Sequence, residues 1–497
     1  MTLRRVLIAN RGEIAVRIIR ACRESRIESI AVYSDADEKS LHARLADRAI
    51  RIGPPAPGDS YLSIPRLIDA ARSTRADAIH PGYGFLSERA EFARACEEAG
   101  IVFIGPPAAV IEKMGSKIAA RELMQSAGVP VVPGQTPADQ TDEGVLAAAK
   151  AIGFPVLVKA SAGGGGKGMR ALTGEAGARE AVQSARRESA ASFGDGTLYV
   201  ERLVQRPRHV EIQVLADNHG DVVHLFEREC SLQRRHQKVI EETPSVAIDD
   251  AVRARMGDAA VAAARACGYR NAGTIEFLVE GSGKDARFYF LEMNTRLQVE
   301  HPVTEQVVGV DLVRAQLAVA AGAALPWTQT ELGQRGHAIE CRVYAEDPAN
   351  GFLPQAGRLL LYREPAGPGI RVDSGFVEGD TIAVNYDPLI AKLIASAETR
   401  TAAIERASAA LRAFPVLGIR TNIAFLLRLL EDPAFRRGDV HTGYIDEHLA
   451  ALNRDEPPAL EAVAAAALAS HSQAVAIAPA AGSSRPDPWS QLGGWGR

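Results

Sequence analysis

The chain has 497 residues, 46% hydrophobic and 24% charged, which is the composition of a globular protein of about three domains. A net charge of −4 leaves no basic footprint for binding nucleic acid through its phosphates. Five scattered cysteines (Cys22, Cys96, Cys230, Cys267, Cys341) form no CxxC pair, so a disulfide framework and a thiolate zinc site are both excluded.

In chain order, RVLIAN (5–10), ESIAVYS (28–34), ADAIHP (76–81) and GIVFIGP (100–106) predict short strands separated by amphipathic helical segments. That alternation predicts βαβ units and a parallel sheet. From about 115 the pattern changes to the strands FPVLVKAS, HVEIQVLAD and TIEFLV, followed by a hairpin turn GSGKDA and the strand RFYFLEMN. In HVEIQVLAD, Val210, Ile212 and Val214 share one parity and His209, Glu211 and Gln213 the other, as in a strand with one apolar face. A third region opens on HAIECRVYAED and closes on helices around TNIAFLLRLL; after Leu449 the sequence turns rich in Ala, Pro and Ser, like a linker or tail. No apolar run approaches the roughly 20 residues of a membrane span, and MTLRRVLIAN is not a signal peptide. The expectation is a soluble, cytoplasmic protein that binds neither membrane nor nucleic acid.

Three clusters carry chemistry. KASAGGGGKGMR (159–170) holds four consecutive glycines, a costly run for a plain connector but one whose N–H groups can wrap a phosphate. A flexible surface loop is the alternative. Only nine lysines occur against 48 arginines, and Lys117, Lys159, Lys167 and Lys238 all fall in unusual polar motifs. Second, Glu276 and Glu292 flank the GSGKDA turn almost symmetrically, within about one residue of facing each other across a hairpin. Like charges so placed repel, and a divalent cation with oxygen ligands relieves them; two acids on a solvated face are the alternative. Third, Glu292, Asn294, Arg296, Gln298 and Glu300 alternate with less polar residues, predicting one extended edge: carboxylates for magnesium, Arg296 and Gln298 for a small oxyanion, Glu300 as base. In ERECSLQRRHQKVIEE, Arg234, His236 and Lys238 share parity, and a basic surface run explains that segment equally well.

NRGEIAVRIIRA (10–21), HPGYGFLSE (80–88), MGSK (114–117), KASAGGGGKGM (159–169), RHVEIQV (208–214), ECSLQRRHQK (229–238), EMNTRLQVEHPVTE (292–305) and GHAIECRVYAEDP (336–348) together resemble the biotin carboxylase component of biotin-dependent carboxylases, over about residues 1–448. The resemblance implies an α/β chain. An N-terminal parallel βαβ domain (1–115) precedes an ATP-grasp domain (116–335) with a mobile Gly-rich lid (about 131–205). A mixed α+β C-terminal domain (336–448) and an Ala/Pro-rich tail (449–497) follow. It implies that Lys117 and Lys159 grip ATP phosphates under Gly165 and Gly166, and that Glu201, Arg202, Leu203 and Val204 form the adenine hinge. His209, Gln233 and His236 line the nucleotide, and Glu276, Glu292 and Asn294 hold Mg2+ or Mn2+. Lys238, Arg296, Gln298 and the N–H of Val299 bind bicarbonate, with Glu300 as its base. Arg342 stabilises the biotin enolate, and Tyr83 and Gly84 belong to the biotin pocket. The implied activity is ATP-dependent carboxylation of biotin through carboxyphosphate, the first half-reaction of an acyl-CoA carboxylase (acetyl-, propionyl- or methylcrotonyl-type). Another ATP-grasp ligase making an acyl-phosphate, or a silent ATP-binding scaffold, are the rivals; RLQVEHPVTE with Arg342 argues against the first, and the intact acids and Arg296 against the second.

The resemblance also implies a homodimer, a biotin carboxyl carrier protein or domain, and a carboxyltransferase subunit. SRPDPWSQLGGWGR is similar to the joint leading onward in acyl-CoA carboxylase α subunits, which leaves open a truncated or a naturally short subunit. The family attaches biotin to a Lys between two methionines, and no lysine of this chain is so flanked. Biotin is therefore expected on a separate carrier. Intact-mass measurement after co-expression with a biotin ligase should show the unmodified mass, and one added biotinyl group would overturn this.

Overall fold

In the computed structural model, residues 2–161, 168–235 and 237–454 are described. The predicted Gly165, Gly166 and His236, and the tail from 455, lie outside them. β1 (Arg5–Ile8), β2 (Glu28–Ser34), β3 (Arg48–Gly53), β4 (Ala78–His80) and β5 (Val102–Phe103) form a parallel sheet in the order β3-β2-β1-β4-β5. Four of these strands were predicted from their apolar runs. β3 was not, because it is the edge strand: Arg48 and Arg51 face outward and only Ile52 and Gly53 are buried at its end. The turn after β1 is fastened by Asn10, whose amide donates to the carbonyls of Pro81 and Tyr83 at 2.7 Å each. Gly82 between them has φ +63°, and a Cβ there would lie 2.9 Å from the Asn10 amide, so only glycine fits.

A small antiparallel sheet follows: β6 (Gly134–Gln135), β7 (Val156–Ala160), β8 (Arg170–Leu172) and β9 (Leu198–Arg202), in the order β6-β9-β7-β8. Val156, Val158 and Val200 pack beneath the helices Asp142–Ile152 and Ala178–Phe193 through Val145, Ala149, Val182 and Ala185.

The largest sheet has eight antiparallel strands. β10 (Arg208–Ala216), β11 (Val222–Arg234), β12 (Gln237–Thr243), β13 (Asn271–Glu280), β14 (Arg287–Asn294) and β15 (His337–Tyr344) join the strands Leu389–Ala397 and Ile370–Ser374. Their order is β14-β13-β10-β11-β12-β15, then Leu389–Ala397, then Ile370–Ser374. The sheet thus spans the expected boundary at 335, because β15 pairs with β12. Both faces are covered. Val210, Ile212 and Val214 meet the helix Asp250–Cys267 through Val252, Met256 and Ala260, as their shared parity predicts. The opposite face carries buried His209, Glu211 and Gln213. No helix among the described residues is long and apolar enough to cross a membrane.

Two expectations about chain path are corrected. The alternation from Glu292 to Glu300 is not one extended edge: β14 stops at Asn294, and the helix His301–Val308 begins just after Glu300. Leu297 turns into the core beside the first sheet, and Pro302 in the first helical turn enforces the helix start. Arg234 and Lys238 likewise do not share a strand face. Arg235 (φ 49°) turns the chain between β11 and β12, sending Arg234 to Glu346 at 3.0 Å and Lys238 into the cavity described below.

Glu242 on β12 accepts from Arg400 at 2.7 and 3.0 Å and contacts His337 at 2.8 Å. Arg400 also donates to the carbonyls of Phe435 (2.7 Å) and Arg436 (2.8 Å), tying the sheet to the C-terminal helices. Burial alone would raise the Glu242 pKa, but His337 and Arg400 outweigh it and hold the carboxyl at about 2. A depressed folded pKa stabilises above the unfolded value, about 4.3, and the gain disappears as pH falls toward 2. Arg400→Ala should therefore cost about 3 kcal/mol at pH 7 and flatten the loss of stability between about pH 4.5 and 2. Melting curves across that range check both; an unchanged midpoint at pH 7 would refute the assignment.

Candidate active site

β13 and β14 pair so that Glu276 stands directly opposite Glu292, closer than the sequence symmetry required. On neighbouring β10, Glu211 is opposite Glu276, making a row of three carboxylates across three strands. Pairing Gln233 with Lys238 brings the β11–β12 hairpin over the same face. Glu276, Glu292, Gln233 and Lys238 line a cavity of about 400 Å³ together with Lys117, Lys159, Asn294, Arg296, Gln298, Val299 and Arg342.

Lys238 is the hub. Its ammonium lies 2.5 Å from Glu211, 2.9 Å from Glu276 and 2.6 Å from Glu300. Burial disfavours this charge, but the three carboxylates more than offset it and hold the ammonium well above its usual range. Glu300 is fully buried; one oxygen meets Lys238 and the other meets Arg342 at 2.9 Å. Against the effect of burial, Lys238 and Arg342 hold its carboxyl below the ordinary value. Arg342 also donates to Glu241 at 2.5 Å, and Glu241, buried and beside Glu300, is pushed up to about 7. His209 would be neutral by burial alone, but Glu276 at 3.2 Å raises it to about 9; Gln233 contacts its other ring nitrogen at 2.8 Å.

Arg296 is spread over the loop that carries it. It reaches Glu88 at 2.8 Å, Gln298 at 2.8 Å and Asn294 at 3.1 Å, while Gln298 donates to Glu276 at 3.2 Å. Beneath the site Arg228 is fully buried and donates to Glu211 (2.6 Å), Gln213 (2.8 Å), Thr304 (3.0 Å) and Thr274 (3.1 Å). Sequence reasoning missed Glu211, Arg228, Glu241 and Glu88 as parts of this network. Glu211 was signalled, since it shares the parity of His209. Glu88 lies in the motif HPGYGFLSE, but nothing local says that it reaches Arg296.

Other expected residues are taken up by local partners or lie off the cavity. Lys159 is buried against Glu201 and faces the Tyr199 ring 5.9 Å away. Arg202 is occupied by Glu280 at 2.9 Å, and the Leu203 N–H donates to the Pro155 carbonyl at 3.0 Å. Glu201, Arg202, Leu203 and buried Val204 do not line the cavity. Tyr83 and Gly84 line a neighbouring hollow of about 430 Å³ with Asn10, Arg11 and Tyr386, where the Tyr83 hydroxyl donates to Glu13.

The residues fit a hard divalent cation. Glu276, Glu292 and Asn294 offer oxygen, the ligand type magnesium and manganese prefer. Burial and the adjacent Glu276 raise the Glu292 carboxyl, as two facing acids do to one another. Lys238 lies among Glu211, Glu276 and Glu300, so a cation would sit on the Glu292 side; a carboxylate oxygen bound once still has a second lone pair to give.

Three family models match: "Biotin carboxylase, N-terminal domain" over residues 2–111, "Carbamoyl-phosphate synthase L chain, ATP binding domain" over 116–328, and "Biotin carboxylase C-terminal domain" over 340–447. The chain is 52% identical over 446 residues to the biotin carboxylase of Halalkalibacterium halodurans, covering 90% of this chain and 98% of that one. It is 50% identical over 448 residues to the mitochondrial methylcrotonoyl-CoA carboxylase subunit alpha of Rattus norvegicus, covering 90% of this chain but 62% of that one. Among solved structures, the biotin carboxylase domain dimer of Hydrogenobacter thermophilus 2-oxoglutarate carboxylase, in complex with MgADP, ADP and bicarbonate, superposes with a TM-score of 0.87. That likeness has 44% identity and covers 92% of this chain and 100% of that one.

Proposed function

The chain belongs to the biotin carboxylase family, and we propose, on that premise, how its residues divide the work. It is an ATP-dependent ligase that carboxylates biotin with bicarbonate. The observation that carries the division is Glu300, buried and gripped by Lys238 and Arg342 beside the Glu276–Glu292 pair.

Lys117 and Lys159 hold the ATP phosphates, beneath the lid expected from Gly165 and Gly166. Glu276, Glu292 and Asn294 would hold Mg2+ or Mn2+, which when bound supplies charge neutralisation for phosphoryl transfer. Lys238, Arg296, Gln298 and the Val299 N–H cradle bicarbonate, and Glu300 takes its proton. Before substrate arrives, Lys238 and Arg342 hold Glu300 as a weak base. An entering anion draws on Lys238, which raises the basicity of Glu300 at the moment it is needed. Bicarbonate then attacks the γ-phosphorus to give carboxyphosphate and ADP. Carboxyphosphate breaks down to carbon dioxide and phosphate, the phosphate takes the ureido proton of biotin, and Arg342 stabilises the enolate. Tyr83 and Gly84 would receive biotin on the neighbouring side. His209, Gln233 and His236, with the hinge 201–204, complete the nucleotide site.

The chain spans 62% of the length of the rat methylcrotonoyl-CoA carboxylase subunit, so the partners belong to the proposal. They are a separate biotin carrier, a carboxyltransferase, and a second copy of this module, as in the H. thermophilus domain dimer.

Glu292→Gln should abolish measurable bicarbonate-dependent ATP cleavage, since it halves the paired charge meant for the metal; near-normal turnover would sink the metal assignment. Arg342→Ala should reduce biotin carboxylation on the order of 100-fold or more while sparing ATP cleavage relative to it. Equal loss in the two assays would move Arg342 to the phosphate or bicarbonate site.

A further inference from the structure

Lys392 is a fully buried lysine to which nothing above gives a task. It sits on the strand Leu389–Ala397, directly opposite Arg342 on one side and Asp373 on the other. Opposed residues on neighbouring strands project from the same face, so two cations stand side by side under the 295–300 loop. Arg342 holds the Glu300 carboxylate, and Lys392 donates to the carbonyl just before it, that of Val299, at 2.7 Å.

The preceding peptide is held too. Buried His301 contacts the Gln298 carbonyl through Nδ1 at 2.8 Å. Burial and the nearby Lys392 push His301 well below its usual pKa, so it is neutral and its Nδ1–H is the donor. A trans peptide points its C=O and N–H in opposite directions. Fastening the Gln298 carbonyl to His301 therefore aims the Val299 N–H away from it, and Val299 lines the cavity. Fastening the Val299 carbonyl to Lys392 fixes the peptide that leads into Glu300. Glu13 at 3.3 Å and Asp373 at 3.7 Å balance the ammonium; burial opposes its charge, but Glu13, Glu340 and Asp373 outweigh burial and keep it protonated.

We propose that Lys392 is a positioning residue for the reaction: by clamping the Val299 carbonyl it fixes the peptide that leads into Glu300, and so sets the direction of Glu300 toward bicarbonate. This rests on the reading that Val299 and Glu300 meet that anion. A lysine that merely neutralised Glu13 and Asp373 would act on stability alone, since Asp373 already has a two-pronged partner in Arg371 at 2.7 and 2.9 Å.

The test compares Lys392→Met with the charge-balanced Glu13→Gln/Lys392→Met in the full chain. Michaelis constants for bicarbonate and for ATP are read separately, with Arg296→Ala alongside. Expected is a fall of about 10- to 100-fold in kcat/KM for bicarbonate, with the KM for ATP within about twofold of the parent. Parallel changes for both substrates, no change in either variant, or loss of folded protein in both would overturn the proposal by making Lys392 a purely structural charge. Arg296→Ala separates the two failures. If it leaves the bicarbonate constant unmoved, the bicarbonate site is misassigned; if it raises that constant while the Lys392 variants do not, only the positioning role falls.

Discussion

One ammonium shared by three buried carboxylates organises this molecule. Lys238 touches Glu211, Glu276 and Glu300 within 2.9 Å, and each acid comes from a different stretch of chain: β10, β13 and the loop before His301. Left unpaired, any one of them would carry the cost of a desolvated charge. The strands cannot slip without breaking this arrangement. A one-residue shift of β10 would turn Glu211 into the apolar core and Val210 into the cavity. Arg228, on the far side of Glu211, fixes the same register from below. The polar face thus specifies the sheet as firmly as the Val210–Val214 face does.

The same logic explains how the three parts of the chain are joined. Glu88, from the connection between β4 and β5, holds Arg296, and Glu13 from the helix Gly12–Glu24 pairs with Lys392. Arg17 of that helix reaches Glu305 at 2.9 Å and Asp311 at 2.7 Å. The Arg17–Glu305 and Lys392–Glu13 joints are buried opposite charges, which are weak as net stability but strict about geometry. A site assembled from separate segments needs strict geometry more than extra stability, because misplacement of about 1 Å is expensive in rate.

What could be read in the sequence follows from how local its cause is. The four apolar strands of the first sheet, the parity of β10 and the facing of Glu276 and Glu292 all depend on period-2 patterning and one turn. They were legible. β3 was hidden because an edge strand tolerates Arg48 and Arg51, which broke its apolar run. The row from Glu292 to Glu300 misled for the opposite reason: its alternation survives in an irregular loop, where polar residues turn to the cavity and Leu297 to the core for tertiary reasons. Glu276, Glu292, Arg296, Gln298 and Glu300 were named from spacing, whereas the nucleotide, hinge and biotin residues came from resemblance to a family. Glu241, Arg228 and Lys392 show why spacing could not supply them: each acts across strands distant in sequence, through register that only the folded sheet sets.

The electrostatics of the site also fit the role proposed for Glu300 as base. A free carboxylate in a dry cavity would be protonated, as Glu292 tends toward and as Glu241 reaches near neutral pH. Glu300 escapes this because Lys238 and Arg342 keep it charged. On the proposed reading, Lys238, which suppresses its basicity at rest, is the cation an incoming bicarbonate must attract. Substrate binding therefore moves positive charge from glutamate to anion without moving the backbone, provided the 295–300 loop stays fixed while its side chains trade partners. The carbonyl anchors at His301 and Lys392 meet that requirement, since they hold main chain and leave the Glu300 carboxylate free to exchange.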